Sequence, residues 1–522
     1  MNVVHRLRQC CQYARQYGFF ALAEKIAVHV DERPSRLSGA YEAWRRAHMR
    51  TAAELARQRR QNFSYAPRIS ILVPAWRTPL PFFRAMLDSV RAQTYGRWEL
   101  VIADGSGEDA GLAAATREVG DRRIRYLHLA ENRGISGNTN AALREARGDC
   151  IALLDHDDLL APDALFEVVR ALQGSSPPEL IYTDEDKVDA SGMYFSDPHF
   201  KPGFSPALFC ANNYICHFSV LSHDLVRRAE LSFDSSMDGA QDYDFLLRAS
   251  EQARGIRHIP RVLYHWRVHP ASTASAGAAK PYTHEAGRRA VAAHLVRCGI
   301  QAAVEDGADG RYANVYRVRY AEAETEDVAV IRWGGQTTVR QLAQAAGAST
   351  GEWLFFQYDG VRPLGGDPAL VAACRVGGAA ASGARLLCGR RTLPMGALWT
   401  GHHLQPVGGH LLRASSGYRY HSLVAHELDV LSPYVLCLSR ETYEMAGAFA
   451  GWEGLPAAAA LAALTLRVTA AGGRCVYEPA AQYRMTGACP LFRFAEVSIP
   501  EAMPESIYWN ENAAILAPYL RE

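Results

Sequence analysis

Ile151-Ala152-Leu153-Leu154-Asp155-His156-Asp157-Asp158-Leu159-Leu160 is the stretch on which the fold turns. An apolar run of strand length stops on Asp155, Asp157 and Asp158. Carboxylates resist burial, so a strand that ends on several of them delivers them to a pocket mouth. Asp155 and Asp157 have the Asp-x-Asp spacing that holds a hard divalent cation against phosphate oxygens. The same residues also suit a helix N-cap with acids in its first turn, because Ala161-Pro162-Asp163 follows and a helix is expected to begin there. The neighbouring stretches decide between the two.

Upstream, Ile69-Ser70-Ile71-Leu72-Val73-Pro74, Trp98-Glu99-Leu100-Val101-Ile102-Ala103 and Ile124-Arg125-Tyr126-Leu127-His128-Leu129 read as buried strands. Residues 80–93 are expected to form an amphipathic helix with Phe83, Met86, Leu87 and Val90 on one face. A second helix is expected over 135–147, with Gly148 as its C-cap. This alternation predicts an α/β fold, a mostly parallel sheet with helices on both faces. Ligands in such sheets bind beyond the carboxyl ends of the strands. Asp104 directly follows the second strand, so it should share a rim with Asp155–Asp158, which favours the pocket reading.

Downstream, Leu180-Ile181-Tyr182-Thr183-Asp184-Glu185-Asp186-Lys187 is another strand that runs into acids. Residues 200–209 and 212–218 read as irregular and aromatic-rich. Gln241-Asp242-Tyr243-Asp244 opens a helix, and 259–268 is a strand containing His265-Trp266-Arg267. A Ser/Ala/Gly loop at 271–279, a helix over 282–298 and a strand over 312–320 close this part. Taken singly, Asp184 and Asp186 equally suit loop solvation, Asp242 and Asp244 the helix macrodipole, and His265 and Trp266 ordinary packing.

A length of 522 residues implies two to four domains, and 48% hydrophobic with 21% charged residues describes a globular protein. A net charge of +1 gives no pull toward nucleic acid. Eleven scattered cysteines without Cys-x-x-Cys or zinc spacing point to reduced thiols and a cytoplasmic setting. No secretory signal or membrane span is expected. Residues 1–66 are expected to be a helical extension, with Leu7, Cys11 and Ala14, then Ala21, Leu22, Ile26 and Val30, at helical spacing, and an Arg-rich helix over 41–60. Arg45, Arg46, Arg50, Arg57, Arg59 and Arg60 permit a peripheral contact with anionic lipid at the inner face of the cell membrane. The plainer expectation is a solvated helix face packed on the next domain.

Residues 68 to about 275 resemble family-2 glycosyltransferases of the GT-A fold, particularly the bacterial subgroup tied to O-antigen and other surface polysaccharides. The resemblance is carried by Ile71-Leu72-Val73-Pro74, Trp98 to Asp104, Glu131-Asn132-Arg133-Gly134 with Asn138 and Asn140, Leu154 to Asp158, Tyr182 to Lys187, Gln241 to Asp244, and His265-Trp266-Arg267, in that order. It implies a Rossmann-like GT-A catalytic domain over 67–322, a nucleotide-diphosphate sugar donor and a glycan or lipid-linked glycan acceptor. Asp155 and Asp157 would hold Mn²⁺ or Mg²⁺, and Asp242 would be the general base. Pro74, Asp104, Asn132, Arg133, Asn140, Asp155 and Asp184 would line the nucleotide-sugar site, with Arg267 and His265 near the diphosphate. Inversion at the anomeric carbon follows from the same resemblance. Gly105 departs from the second Asp that the family often has after its second strand. Two rivals remain. A nucleotidyltransferase would have a Gly-rich basic loop after the first strand, where Pro74-Ala75-Trp76-Arg77-Thr78 has no glycine. An inactive carbohydrate-binding scaffold would not need Asp155, Asp157 and Asp242.

Residues 323–522 repeat the texture and are expected to form a second, degenerate GT-A-like domain, the alternative being an unrelated α/β domain. Gly351-Glu352-Trp353-Leu354 parallels Gly148-Asp149-Cys150-Ile151, which puts Tyr358 and Gly360 where the metal carboxylates stand. Pro363 is matched to Pro162, Tyr434–Ser439 to Tyr214–Ser219, and Tyr483-Arg484 to Trp266-Arg267. Leu461 and Ala463 fall at Asp242 and Asp244. Without carboxylates this half cannot perform the same metal-assisted transfer.

Overall fold

The computed structural model describes residue 15 and residues 34–512, apart from 108–110, 270–280, 311, 322–326, 487–491, 498 and 500–505. The helical positions expected from Leu7 to Val30 and the loop expected at 271–279 lie outside the described residues. Two compact units divide the chain: residues 41–319 with 507–513, and residues 320–506 with 1–40 and 514–522.

These borders differ from those expected at 66/67 and 322/323, for a physical reason. In helix α1 (Pro34–His48), Tyr41 is buried and its hydroxyl donates to Asp186. Arg50, just before α2 (Ala52–Arg60), donates to Asp163 at 3.2 Å and Glu167 at 3.1 Å. The Arg-rich stretch is therefore two helices, the second restarted by a Thr51/Glu54 capping box. Arg46, Arg57, Arg59 and Arg60 face solvent.

In the first unit, β1 (Ile69–Ala75), α3 (Leu80–Arg91), β2 (Trp98–Asp104), α4 (Leu112–Val119), β3 (Ile124–His128), α5 (Gly134–Glu145) and β4 (Cys150–Leu153) build a parallel half. A mixed half follows: β5 (Leu159–Leu160), α6 (Ala164–Ala171), β6 (Leu180–Asp189), β7 (Phe195–His199), α7 (Pro206–Ala211), β8 (Ser219–Ser222), α8 (His223–Arg228), α9 (Gln241–Gln252) and β9 (Ile256–Val268). Helix α10 (Pro281–Arg297) and the strand pair β10 (Ala302–Asp306) and β11 (Tyr316–Tyr320) come last. The sheet order is β3-β2-β1-β4-β8-β6-β9-β5, with β7 on β6. Strands β3, β2, β1 and β4 run parallel, β8 is antiparallel to both neighbours, β9 is parallel to β6, and β5 is antiparallel to β9. This is the expected α/β, GT-A-like arrangement. Phe83, Met86, Leu87 and Val90 of α3 pack into the core under β1 and β2, as their spacing predicts. Ala75 sits beside Asp104 and Leu72 beside Leu153, so β1, β2 and β4 leave the sheet at one edge.

Three local expectations are corrected. Helix α5 ends at Glu145, and Gly148 is no cap. A Cβ at Gly148 would lie 2.6 Å from the Arg68 carbonyl oxygen, so glycine allows a close backbone approach at the start of β4. A short helix, α7, occupies part of the stretch expected to be irregular, capped by Ser205. Asp163 precedes α6 but makes no side-chain cap, because its carboxylate pairs with Arg50 and Arg261 instead.

The second unit contains β12 (Val328–Trp333), α11 (Val339–Ala348), β13 (Trp353–Tyr358), β14 (Val361–Gly365), α12 (Asp367–Arg375), β15 (Ala381–Cys388), β16 (Arg391–Thr392), β17 (Gly396–Trp399), β18 (Leu404–Val407), β19 (His426–Leu428), β20 (Val430–Leu431), β21 (Val435–Ser439), α13 (Arg440–Met445), α14 (Ala457–Ala470) and β22 (Cys475–Met485). Its main sheet has the order β12-β13-β21-β15-β22-β14, and β18-β17-β20 form a separate small sheet. Among the described residues no helix is long and apolar enough to cross a membrane.

Candidate active site

A cleft of about 560 Å³ opens at the carboxyl edge of β1 and β4, where Pro74, Asn132, Asp155, Asp157, Trp266 and His269 are among its walls. The Asp155 side chain is 41% exposed and that of Asp157 16%. His269 places Nε2 2.8 Å from Asp157 Oδ2. Two carboxylates and an imidazole thus meet at one wall.

The loop that carries them is fastened from below. Arg267, only 2% exposed, donates from Nε to the Asp157 carbonyl oxygen at 2.7 Å and from its backbone N–H to Asp158 Oδ1 at 2.7 Å. The Tyr264 hydroxyl donates to the other oxygen of Asp158. Asp158 is thus a buried strut rather than a helix cap. Burial, then the charges of Asp155 and Asp157, push its carboxyl well above the usual range. Arg267 is further held by the Asp189 and Ala190 carbonyls and by the Phe82 ring, and its Nη2 is buried without a partner.

Asp242 lies in the first turn of α9 and accepts from Asn213 Nδ2 at 3.1 Å. Donor atoms of Cys216, His217 and Asp242 lie within 4.8 Å of one another. His217 spans the gap: Nε2 is 3.7 Å from Asp155 Oδ2, Nδ1 is 3.6 Å from Glu185 Oε2, and the ring stacks on Tyr264 at 4.9 Å. Burial lowers its pKa, but the adjacent Glu185 and Asp155 carboxylates outweigh it and hold the imidazole up at about 9. Lys201, fully buried, donates to the Ile215 carbonyl at 3.0 Å and fixes the same loop.

Not every expected residue reaches the cleft. Asn132 lines it, accepting from the Gly134 backbone at 3.2 Å, and Arg133 is exposed beside Glu131. Asp104 is fully buried, its oxygens taken by Ser106 and Tyr126. The glycine after it has a reason: a Cβ at Gly105 would lie 2.9 Å from Asn132 Cα. Asn140 is a correction, since both ends of its amide bond the Phe233 backbone, at 2.8 and 2.9 Å, and hold α5 to the chain before α9. His265 is another: it sits 2.6 Å from Asp186 and against Phe195, because successive side chains of β9 alternate faces and Trp266 takes the cleft side. Asp184 is buried under the sheet, accepting from His258, the Lys201 backbone and Asn510. His269 and the Asn213–Cys216–His217 group were not singled out from sequence. His269 is signalled only by its place one residue past the end of β9.

Residues 70–177 match the family model described as glycosyl transferase family 2. The chain is 44% identical over 235 residues to uncharacterized protein y4gI of Sinorhizobium fredii, covering 44% of this chain and 26% of that one. It is 36% identical over 293 residues to O-antigen biosynthesis protein RfbC of Myxococcus xanthus, covering 56% of this chain and 22% of that one. The chain thus spans about a quarter of the length of these relatives. Among solved structures, Staphylococcus aureus TarS 1-349 in complex with UDP-GlcNAc matches with 17% identity and a TM-score of 0.37, covering 44% of this chain and 66% of that one.

Proposed function

The chain carries a family-2 glycosyltransferase domain, and on that premise we propose that its first unit is an inverting, divalent-metal-dependent transferase. It moves a hexosyl or deoxyhexosyl group from a nucleotide-diphosphate sugar to a hydroxyl of a growing, lipid-linked surface glycan of the O-antigen kind. The observation that carries this reading is Asp155, Asp157 and His269 together on the cleft wall, with His217 linking Asp155, 3.7 Å away, to Asp242, whose donor atoms lie within 4.8 Å of its own. The donor set fits Mn²⁺ or Mg²⁺: carboxylate oxygens at Asp-x-Asp spacing with an imidazole nitrogen already 2.8 Å from Asp157. Such a cation, when bound, offsets the negative charge that gathers on the leaving diphosphate.

The chain's own residues do the rest. Asn132 and Pro74 line the nucleotide end of the cleft, and Arg267 fixes the Asp157 loop in place. The acceptor oxygen bonds to the anomeric carbon as the bond from that carbon to the phosphate oxygen breaks. The electron pair leaves with the diphosphate, and the hydroxyl proton goes to Asp242. A single displacement of this kind inverts the anomeric centre. The resemblance to RfbC supports a surface-glycan acceptor. The exposed Arg46, Arg57, Arg59 and Arg60 suit a peripheral position at the inner membrane face. Binding of UDP, GDP and dTDP to the full chain, with and without Mn²⁺, tests the reading. Metal-dependent binding of one of them is expected, and binding of none contradicts it.

A further inference from the structure

Six consecutive strands of the two sheets match in order and direction. In the first unit β1 is parallel to β4, β4 antiparallel to β8, β8 antiparallel to β6, β6 parallel to β9, and β9 antiparallel to β5. In the second, β12 is parallel to β13, β13 antiparallel to β21, β21 antiparallel to β15, β15 parallel to β22, and β22 antiparallel to β14. Even the irregularities coincide. The β6–β9 register shifts after Thr183–Ile259, just before Pro260, and the β15–β22 register shifts after Ala384–Glu478, just before Pro479. Ser222 caps α8 as Ser439 caps α13.

This register replaces two matches made from sequence texture. Val435–Ser439 stands on Phe218–Ser222, so Tyr434 takes the place of His217. Tyr483 takes the place of Tyr264, not Trp266, because it pairs with Leu386 as Tyr264 pairs with Glu185. Tyr358 stays at Asp155 and Gly360 at Asp157.

Two consequences follow. First, β12 is the edge of its sheet, whereas β1 has β2 and β3 beyond it. Asn132 and Gly134, which follow β3 and line the first cleft, therefore have no counterpart. Second, the metal wall is filled by rings. Trp333, Tyr358 and Tyr434 pack at 4.8, 5.5 and 6.2 Å between centroids. A Cβ at Gly360 would lie 2.3 Å from Tyr358 Cε1, so the phenol ring occupies the space that a side chain at the second carboxylate position needs.

What is left is a half-buried Tyr358 followed on the same turn by an exposed Asp359, whose Oδ2 lies close to Gly334, and an exposed Arg362. Arg362 Nη1 donates to the Asp359 and Val361 carbonyls at 3.0 Å, which folds its guanidinium back onto the turn that follows the tyrosine. The Trp333 indole N–H adjoining the ring has no acceptor. A tyrosine ring with a carboxylate and a guanidinium on the same turn offers the chemistry that holds a pyranose: its C–H face stacks on the ring and its hydroxyls bond the charged groups.

We propose that the second unit is a copy of the acceptor half of the first, and that its Tyr358 rim binds a saccharide segment and no nucleotide. The test uses the full chain. An array of defined bacterial O-antigen and capsule oligosaccharides selects a probe, which is then titrated calorimetrically into wild type, Tyr358→Phe, Tyr358→Ala and Gly360→Ala. UDP, GDP and dTDP stoichiometries with Mn²⁺ are measured in parallel. Tyr358→Ala is expected to weaken the oligosaccharide at least tenfold, Tyr358→Phe less than threefold, and nucleotide to stay at one equivalent in every variant. Gly360→Ala drives the ring from its seat and should reproduce the loss with the tyrosine still present. A second equivalent of nucleotide, or no oligosaccharide whose binding responds to Tyr358→Ala and Gly360→Ala, overturns the proposal. Zero equivalents of nucleotide would contradict the transferase reading of the first unit, yet a Tyr358-dependent oligosaccharide would still support the saccharide rim.

Discussion

Replacing Asn510 with alanine tests whether a segment near the C-terminus is part of the first unit. The Asn510 amide is 4% exposed. It donates to Asp184 at 2.9 and 3.2 Å and to the Lys201 carbonyl at 3.0 Å. Asp184 has no solvent to fall back on. It keeps the His258 imidazole at 2.7 Å and the Lys201 N–H at 2.8 Å, so alanine weakens its solvation without stripping it. A hydrogen bond to a charged group contributes about 1.5–3 kcal/mol and a neutral one about 1. With two partners retained, the cost falls at about 2–3 kcal/mol. For a unit of this size that is a drop of roughly 3–5 °C in its melting temperature. Asn510→Asp should cost more, because it sets a second carboxylate against a buried one. Differential scanning calorimetry on the full chain, with nucleotide added to mark the first unit's transition, reads the shift. A change below about 0.5 kcal/mol for Asn510→Ala, of the size expected at an unconstrained surface position, would refute the reasoning.

Asp242→Asn is expected to lower kcat for transfer by about 10²–10⁴-fold with nucleotide affinity unchanged, read by steady-state kinetics and titration; normal transfer would remove Asp242 as the base. His269→Ala is expected to weaken Mn²⁺ by at least about 10-fold, followed by Mn²⁺ titration of nucleotide binding; unaltered metal dependence would remove His269 from the site. In the second unit, burial holds the His426 imidazole down at about 4. The unfolded chain takes up that proton near pH 6.5, so the unit is fully stable above 6.5 and loses up to about 3 kcal/mol as pH falls to 4. Urea unfolding at several pH values measures this, and His426→Asn should flatten the slope.

The sequence conveyed the first sheet well because its strands are long, apolar and terminated by polar residues. That rule put Asp104 and Asp155–Asp158 on one rim; Asp155 and Asp157 line the cleft and Asp104 is buried beside it, while Asn132 was reached only through the family resemblance. What it could not convey depends on side-chain direction and on register. His265, Trp266 and Arg267 form one motif in the sequence, but a pleated strand sends alternate residues to opposite faces. His265 therefore meets Asp186, and Arg267 runs beneath the Asp157 loop. Asn140 looked like part of the Asn132–Asn138 group, yet its position on α5 turns it toward Phe233. His217 was invisible because the loop that carries it has no periodicity; its place is set by Lys201 and Glu185 from a distant part of the chain. In the second unit the apolar strands offered several equivalent alignments, and only hydrogen-bond pairing fixed Tyr434 on His217 and Tyr483 on Tyr264.

The most direct measurement is hydrolysis of a panel of nucleotide-diphosphate sugars by the full chain, with Mn²⁺, with Mg²⁺ and with chelator, beside Asp157→Asn. Metal-dependent release of nucleoside diphosphate from one donor, lost in chelator and in Asp157→Asn, is the predicted result. Turnover of no donor, or turnover indifferent to both metal and Asp157, would contradict a metal-dependent glycosyltransferase centred on the Asp155–Asp157 rim.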